Sequence, residues 1–287
     1  MFAIMGATGQ TGGAALAAAL AAGHEVKAIV REPSRAAALA EKGAVLARAD
    51  LDNVAALTAA FAGADAVYVL NPVPHAAEDV FAAAARNGAA IAEAIRRAGV
   101  PHVVALSSSG AHRTEGTGIV RALRDFEQAL RGSAPSLTFI RATEFMENWG
   151  SVLGIAVEHG ILPSMRQPLD AAGETVSATD VGRQVATELA RPHEGLRIIN
   201  VKGPAEYSPE DAARALGELL GKPIAAVPTP REEWEPGLVA AGLSASHARE
   251  LAGLYDAMNA GRAGFEAAGE TRRGSVTLKE ALAGLLG

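Results

Sequence analysis

The 287-residue sequence contains no cysteine. A disulfide framework, a thiolate nucleophile and a cysteine-ligated metal are thereby excluded, although this absence by itself leaves the compartment open. Basic residues are in the minority, 26 Lys plus Arg against 32 Asp plus Glu, for a formal net charge of −6. A chain that gains affinity by neutralising phosphates along a nucleic acid needs the opposite sign, so nucleic acid is not expected as the primary ligand. Long hydrophobic runs are also missing. The first, Phe2 to Met5, stops at Gly6, far short of the roughly 18 residues of a membrane-spanning helix. The sequence therefore reads as cytoplasmic, without membrane association and complete from residue 1. Aromatic residues make up only 4%, but hydrophobic residues reach 49% and charged residues 20%, a balance that excludes a disordered chain, a fibre and a coiled coil. One large α/β domain, alone or with a small satellite, is expected at this length.

What is present is a repeated rhythm. A short run rich in Val, Ile or Leu is followed by a small-residue turn and then by an Ala-rich stretch long enough for a helix. The strands expected are Phe2–Met5, Glu25–Val30, Ala44–Ala49, Ala66–Leu70, His102–Leu106 and Leu137–Ile140. Several are apolar on both faces, as a parallel sheet between helical layers requires. The expected architecture is α/β, a doubly wound parallel sheet of the Rossmann kind with a smaller, mostly helical C-terminal satellite. The sheet domain is placed at 1–150 with a return at 176–202, and the satellite at 151–175 and 203–287. In the satellite, Ser208-Pro209-Glu210-Asp211 has the pattern of a helix N-terminus.

Directly after the first strand comes Gly6-Ala7-Thr8-Gly9-Gln10-Thr11-Gly12-Gly13, with a helix expected over Ala14–Ala22. A dinucleotide pyrophosphate is anionic, and the free N–H groups and positive dipole end of a helix attract it. Glycines make the tight turn, leave room for the phosphates and let helix and strand pack closely. A purely structural glycine turn is the plainer alternative, and its position in a βα series favours cofactor binding. Arg31 stands at the end of the second strand, nineteen residues after Gly12, where an NAD-binding protein places an acid against the ribose 2′-hydroxyl. A guanidinium there, with Arg35 one turn further on, suits a 2′-phosphate, so NADP(H) is the cofactor expected. A solvated pair at a helix start is the alternative. Asp50-Leu51-Asp52 either caps the next helix or lies beside the adenine. Leu70, Asn71 and Pro72 end the fourth strand, and Ser107 follows the core of the fifth, at the edge where a parallel sheet places its ligand crevice.

At these residues the chain resembles the NmrA-like branch of the atypical short-chain dehydrogenases/reductases. Gly6–Gly12, Val30–Arg35, Asp50–Asp52, Ser107–Ser109 and Ile140–Asn148 carry the resemblance. It implies binding of NADP(H), and either reduction of quinones, azo dyes or triphenylmethane dyes or a non-catalytic sensing of NADP(H). Ordinary members of the superfamily use Tyr-x-x-x-Lys on the helix after the fifth strand to move the carbonyl proton. With Glu127 aligned to the acid commonly found four residues after that Lys, Ile119 and Leu123 occupy the two positions, and neither transfers a proton. Interconversion of alcohols and ketones is therefore a poor fit. What remains is an NADPH-dependent reductase acting on a small aromatic acceptor whose product takes its proton from water, or an NADP(H)-sensing regulator. Candidate acceptor-pocket residues are Pro72, His75, Ser108, Phe145 and Trp149, each aromatic having core packing as its alternative. His75 and His112 lie in loops at the same edge as further hydrogen-bonding candidates. No catalytic residue is assigned and no metal is expected, since histidines are not closely paired. Monomer and homodimer both remain open.

Overall fold

The computed structural model describes residues 1–266 and 269–287. From the N-terminus the chain runs β1 (Phe2–Met5), α1 (Gln10–Ala21), β2 (Val26–Val30), α2 (Ala37–Glu41), β3 (Val45–Arg48), α3 (Val54–Phe61), β4 (Ala66–Val69), α4 (Val80–Ala98), β5 (His102–Ser108), α5 (Val120–Leu130) and β6 (Ser136–Ala142). It continues through β7 (Glu144–Phe145), α6 (Leu153–His159), β8 (Ile161–Ser164), β9 (Gly173–Val176), α7 (Ala178–Leu189), β10 (Gly195–Lys202), β11 (Glu206–Tyr207), α8 (Pro209–Leu220), β12 (Ala225–Pro228), α9 (Arg231–Ala240), α10 (Ala245–Asn259), β13 (Glu270–Arg273) and α11 (Leu278–Leu286).

Eight strands form one sheet in the order β3-β2-β1-β4-β5-β6-β10-β13, and every pairing in it is parallel. The order reverses between β1 and β4, which makes their carboxyl ends the switch point of a doubly wound sheet. Strand β1 shows why its run is wholly apolar. Phe2 and Ile4 enter the layer containing Leu16 of α1 and Val181, Val185 and Leu189 of α7. Ala3 and Met5 enter the opposite layer with Leu57, Ile91, Ile95, Phe126 and Leu130. Helix α4 is started by Asp79, whose carboxylate accepts from Phe81 N at 3.0 Å and Ala82 N at 2.9 Å, the expected side-chain cap. No helix among the described residues is long and apolar enough to cross a membrane.

The satellite has a separate core built from Met146, Leu162, Leu216, Leu278 and Leu282. It includes two small sheets, β7-β9-β11 and β8-β12. Ser208 and Asp211 form a reciprocal capping box at α8, with Pro209 in its first turn. One boundary needs correction: Glu270–Arg273, within the span expected to be satellite, adds an edge strand to the main sheet beside β10. Its sequence, Glu-Thr-Arg-Arg, carries no apolar run and is held largely through charge. Arg272 Nη1 reaches the buried Glu188 at 2.5 Å, and Glu270 receives Arg197 at 3.1 Å. Helix α1 begins at Gln10, four residues earlier than the apolar pattern suggested. The glycine turn thus feeds directly into the helix.

Candidate functional site

The turn after β1 is shaped by backbone approach. Gly6 adopts φ +62°, and Gly9 N donates to Gly6 O at 2.8 Å. A Cβ on Gly12 would lie 2.2 Å from Gly6 O and 2.7 Å from Met5 O, distances no side chain tolerates. Gly9, the N-cap, provides no side-chain hydrogen bond to the helix, so the first N–H groups of α1 remain available to an anion. Beneath the turn the buried Tyr68 hydroxyl donates to Thr11 Oγ1 at 3.0 Å, tying α1 to β4.

Parallel strands bring their carboxyl ends to one edge, and most of the sequence-derived candidates gather there. Gly6–Gly12 follow β1, Arg31 and Arg35 follow β2, Asp50 and Leu51 follow β3, Leu70–Pro72 follow β4, and Ser107 and Ser108 end β5. Arg31 and Arg35 are exposed, with Arg35 3.7 Å from Glu32. The capping role offered to Asp50–Asp52 is corrected: Asn53 caps α3, accepting from Ala56 N at 2.9 Å, while Asp50 bonds the neighbouring Leu51 N at 2.7 Å. Asn71 donates to Ala84 O at 2.9 Å and keeps its own Oδ1 buried without a partner among the described residues.

From this edge a cavity of about 590 Å³ extends under the satellite. Asn71, Ser107, Ser108 and Phe145 line it, as do Ile119 and Leu123, the two positions aligned with the Tyr and Lys of the superfamily. Its roof comes from α10 through Leu251, Leu254, Tyr255 and Met258. The close seating of that helix depends on Gly118, where a Cβ would stand 2.1 Å from Glu250 O; the next amide, Ile119 N, donates to Glu250 O at 2.9 Å. The segment after α10 completes the roof with Gly261, Ala263 and Gly264, and Gly264 O accepts from Gly110 N at 3.0 Å.

Three expected pocket residues lie elsewhere. His75 is exposed and outside the cavity lining, because its loop turns away to dock on the start of α10: Ser244 N donates to His75 O at 2.8 Å, and the His75 ring meets His247 edge-on at 5.2 Å. Trp149 packs on the satellite core, and the adjacent Asn148 lines the cavity in its place. Pro72 is likewise outside the lining, its carbonyl accepting from Asn87 at 2.9 Å. The imidazole of His112 keeps a buried Nδ1 without a partner among the described residues, and burial lowers its pKa.

The cavity wall is backed by charge that sequence reasoning did not connect. Arg141 and Glu127 are buried, with side chains 4% and 2% exposed. They form a two-point pair, Nε to Oε1 and Nη2 to Oε2, each at 2.8 Å. Ser107 Oγ donates to the same carboxylate at 2.6 Å, and Arg141 also reaches Glu266. One network therefore joins the end of β5, helix α5, strand β6 and the segment behind the roof. Burial opposes the Arg141 charge, but the two carboxylates outweigh it and raise its pKa. At the satellite end, Glu144 pairs with Arg166 at 2.6 Å. Burial raises the Glu144 pKa against the pull of that guanidinium. A charged residue inside the seven-residue buried run of β6 was the available signal for the first network, since such a charge must be paired.

The open parallel sheet, the glycine turn at its switch point and the satellite roof define a protein of the doubly wound Rossmann class. More particularly, the chain belongs to the NmrA-like family, whose profile matches residues 1–266. Among curated proteins it is similar to NAD(P)H azoreductase of Xenophilus azovorans, with 27% identity over 257 residues, 89% of this chain and 86% of that protein. It is also similar to quinone oxidoreductase 2 of Escherichia coli strain K12, with 28% identity over 231 residues, 78% and 76% of the two chains. Citrobacter sp. triphenylmethane reductase complexed with NADP(H) superposes with a TM-score of 0.82 at 24% identity, covering 99% of this chain and 100% of that one. That structural likeness carries the fold.

Proposed function

We propose that the protein is an NADPH-dependent reductase that transfers hydride to a quinone-like or other aromatic acceptor. The observation that carries this reading is the continuity of one cavity with the carboxyl edge of the sheet: Asn71, Ser107 and Ser108 line it beside the switch point, and largely apolar side chains line it beneath the satellite. The residues present fit a dinucleotide. Gly6–Gly12 with the uncapped start of α1 hold the pyrophosphate, and Arg31 and Arg35 meet the 2′-phosphate. Asp50, Leu51 and Leu70 would flank the adenosine half, and Asn71, whose Oδ1 is buried without a partner among the described residues, would offer that oxygen to a ligand N–H. When bound, the reduced nicotinamide supplies the hydride.

The chain's own contribution is placement and exclusion of water. Leu106, Ile119, Leu123, Leu251, Leu254 and Met258 offer apolar surface to a flat acceptor. Ser107 is oriented by Glu127. The sheet domain thus holds the dinucleotide and the satellite shapes the acceptor pocket. The names of two of the curated relatives, an azoreductase and a quinone oxidoreductase, support the same class of acceptor. The test is NADPH consumption by the purified protein with a panel of quinones, azo dyes and triphenylmethane dyes. Oxidation above background with at least one class is expected; none with any class overturns the reading and leaves NADP(H) sensing as its successor.

A further inference from the structure

Reduction of a quinone by hydride leaves an oxygen that still needs a proton, and Ile119, just before α5, and Leu123 within it face the cavity where a Tyr and a Lys would provide for one. The chain has three tyrosines. Tyr68 is buried beneath the glycine turn and bonded to Thr11, and Tyr207 packs against the satellite core. Tyr255 lines the cavity from the opposite wall, on α10. Resting on the reductase reading, we infer that Tyr255 is the hydrogen-bond and proton donor to the acceptor oxygen, delivered from the satellite in place of a tyrosine on α5.

Its ring is fixed from behind by Trp234, edge-on with centroids 6.2 Å apart. Trp234 is itself buried and anchored by Nε1–H donation to Thr229 O at 2.8 Å. The Tyr255 hydroxyl has no hydrogen-bond partner among the described residues and shares the cavity wall with Glu144 and Arg166. Ser108, Ser109, Thr143 and Asn148 also line the cavity, but their hydroxyls and amide are far weaker acids than a phenol, whose ordinary pKa is about 10. Other polar groups there are engaged. Ser107 gives its hydroxyl proton to Glu127, Glu144 is held by Arg166, and Glu174 by Lys202. Burial, reinforced by the Glu144 charge, raises the phenol's pKa, which keeps the hydroxyl protonated at neutral pH while weakening it as an acid. Arg166 opposes that shift and stabilises the phenolate when it forms.

The step balances. The quinone gains two electrons and one proton as hydride from the reduced dinucleotide; its remaining oxygen forms an O–H bond as that of Tyr255 breaks. The phenolate recovers a proton from water, leaving hydroquinone and oxidised dinucleotide. A triarylmethyl cation differs, since hydride addition at its central carbon completes the neutral product with no further proton.

Tyr255→Phe keeps the ring and removes only the hydroxyl. With NADPH, its kcat for a benzoquinone is expected to fall by about a hundredfold, in the range of a lost general acid. Turnover of a triarylmethyl cation is expected to fall far less, shifting the ratio of the two rates by at least about tenfold. In the cofactor-free protein, calorimetry should show benzoquinone binding weakened by about fivefold to tenfold, as for one lost hydrogen bond; the absence of cysteine removes thiol adducts as a complication. Parallel loss with both acceptors, no loss with either, or unchanged quinone affinity overturns the assignment while the reductase reading stands. A wild-type protein that turns over azo dyes but neither of these acceptors overturns the assignment alone; one that turns over none of the three classes overturns the reading itself, and the assignment with it.

Discussion

Replacing Arg141 by Met tests whether the charge network behind the cavity holds the site together. Methionine is unbranched and fits the space of the arginine stem, but it removes both 2.8 Å bonds to Glu127 and the contact with Glu266. The Glu127 carboxylate, 2% exposed, is then left with the Ser107 hydroxyl alone. Breaking a buried pair from one side costs roughly 3–5 kcal/mol, because the abandoned charge remains desolvated. That is a large part of a net stability on the order of 5–15 kcal/mol. Arg141→Met and Glu127→Leu should each lower the urea midpoint sharply, followed by far-UV circular dichroism. The double variant should be less destabilised than the sum by about 2 kcal/mol or more, since neither charge is then stranded. Single variants costing under about 1 kcal/mol, or costs that add within about 0.5 kcal/mol, would refute the claim that this pair is coupled and desolvated.

Two further outcomes follow from the geometry. Gly12→Ala places a Cβ against the backbone of Gly6 and Met5, so it should cost about 1–3 kcal/mol in thermal unfolding and abolish measurable NADPH binding, whereas Gly9→Ala, meeting only a 3.3 Å contact, should fold close to wild type. His102 is buried, with Nδ1 2.7 Å from Ser136 Oγ and Nε2 2.9 Å from Glu188 O. Burial lowers its pKa despite those bonds. The unfolded chain, with a His pKa of about 6.5, therefore binds the proton first on acidification. Its contribution is complete above about pH 6.5 and is lost as pH falls from there toward the lower folded value. The stability difference between wild type and His102→Gln should shrink over that window; a difference independent of pH would refute the assignment.

Legibility in the sequence followed the strength of the local signal. The six expected strands of the first 150 residues recur in the sheet because each is an apolar run bounded by turn residues, and a strand covered on both faces has no other pattern to show. Strand β13 escaped because Glu-Thr-Arg-Arg is an edge segment held by Glu188 and Arg197, residues whose roles depend on the folded neighbourhood. The same division runs through the site. The glycine turn, Arg31 and the strand-end residues are placed by chain order alone, since parallel strands deliver their ends to one edge. Tyr255 and the roof residues are brought over that edge by the packing of α10 on Gly118, about 135 residues away in sequence from that backbone contact, while Arg166 is held there by Glu144, and no periodicity encodes either. Trp149 and His75 were misplaced because a residue near the mouth of a crevice can turn either way, and the satellite core and the start of α10 captured them.

The account rests on the glycine turn and Arg31 holding a 2′-phosphorylated dinucleotide, and isothermal calorimetry of the pure protein with NADPH and NADH, repeated on Arg31→Asp, tests it most directly. Wild type should bind NADPH more tightly than NADH. The variant should lose affinity for NADPH by about tenfold to a hundredfold with little change for NADH, in keeping with a charge-assisted hydrogen bond worth roughly 1.5–3 kcal/mol. Heat from neither dinucleotide, or equal affinities that the substitution leaves untouched, would contradict it.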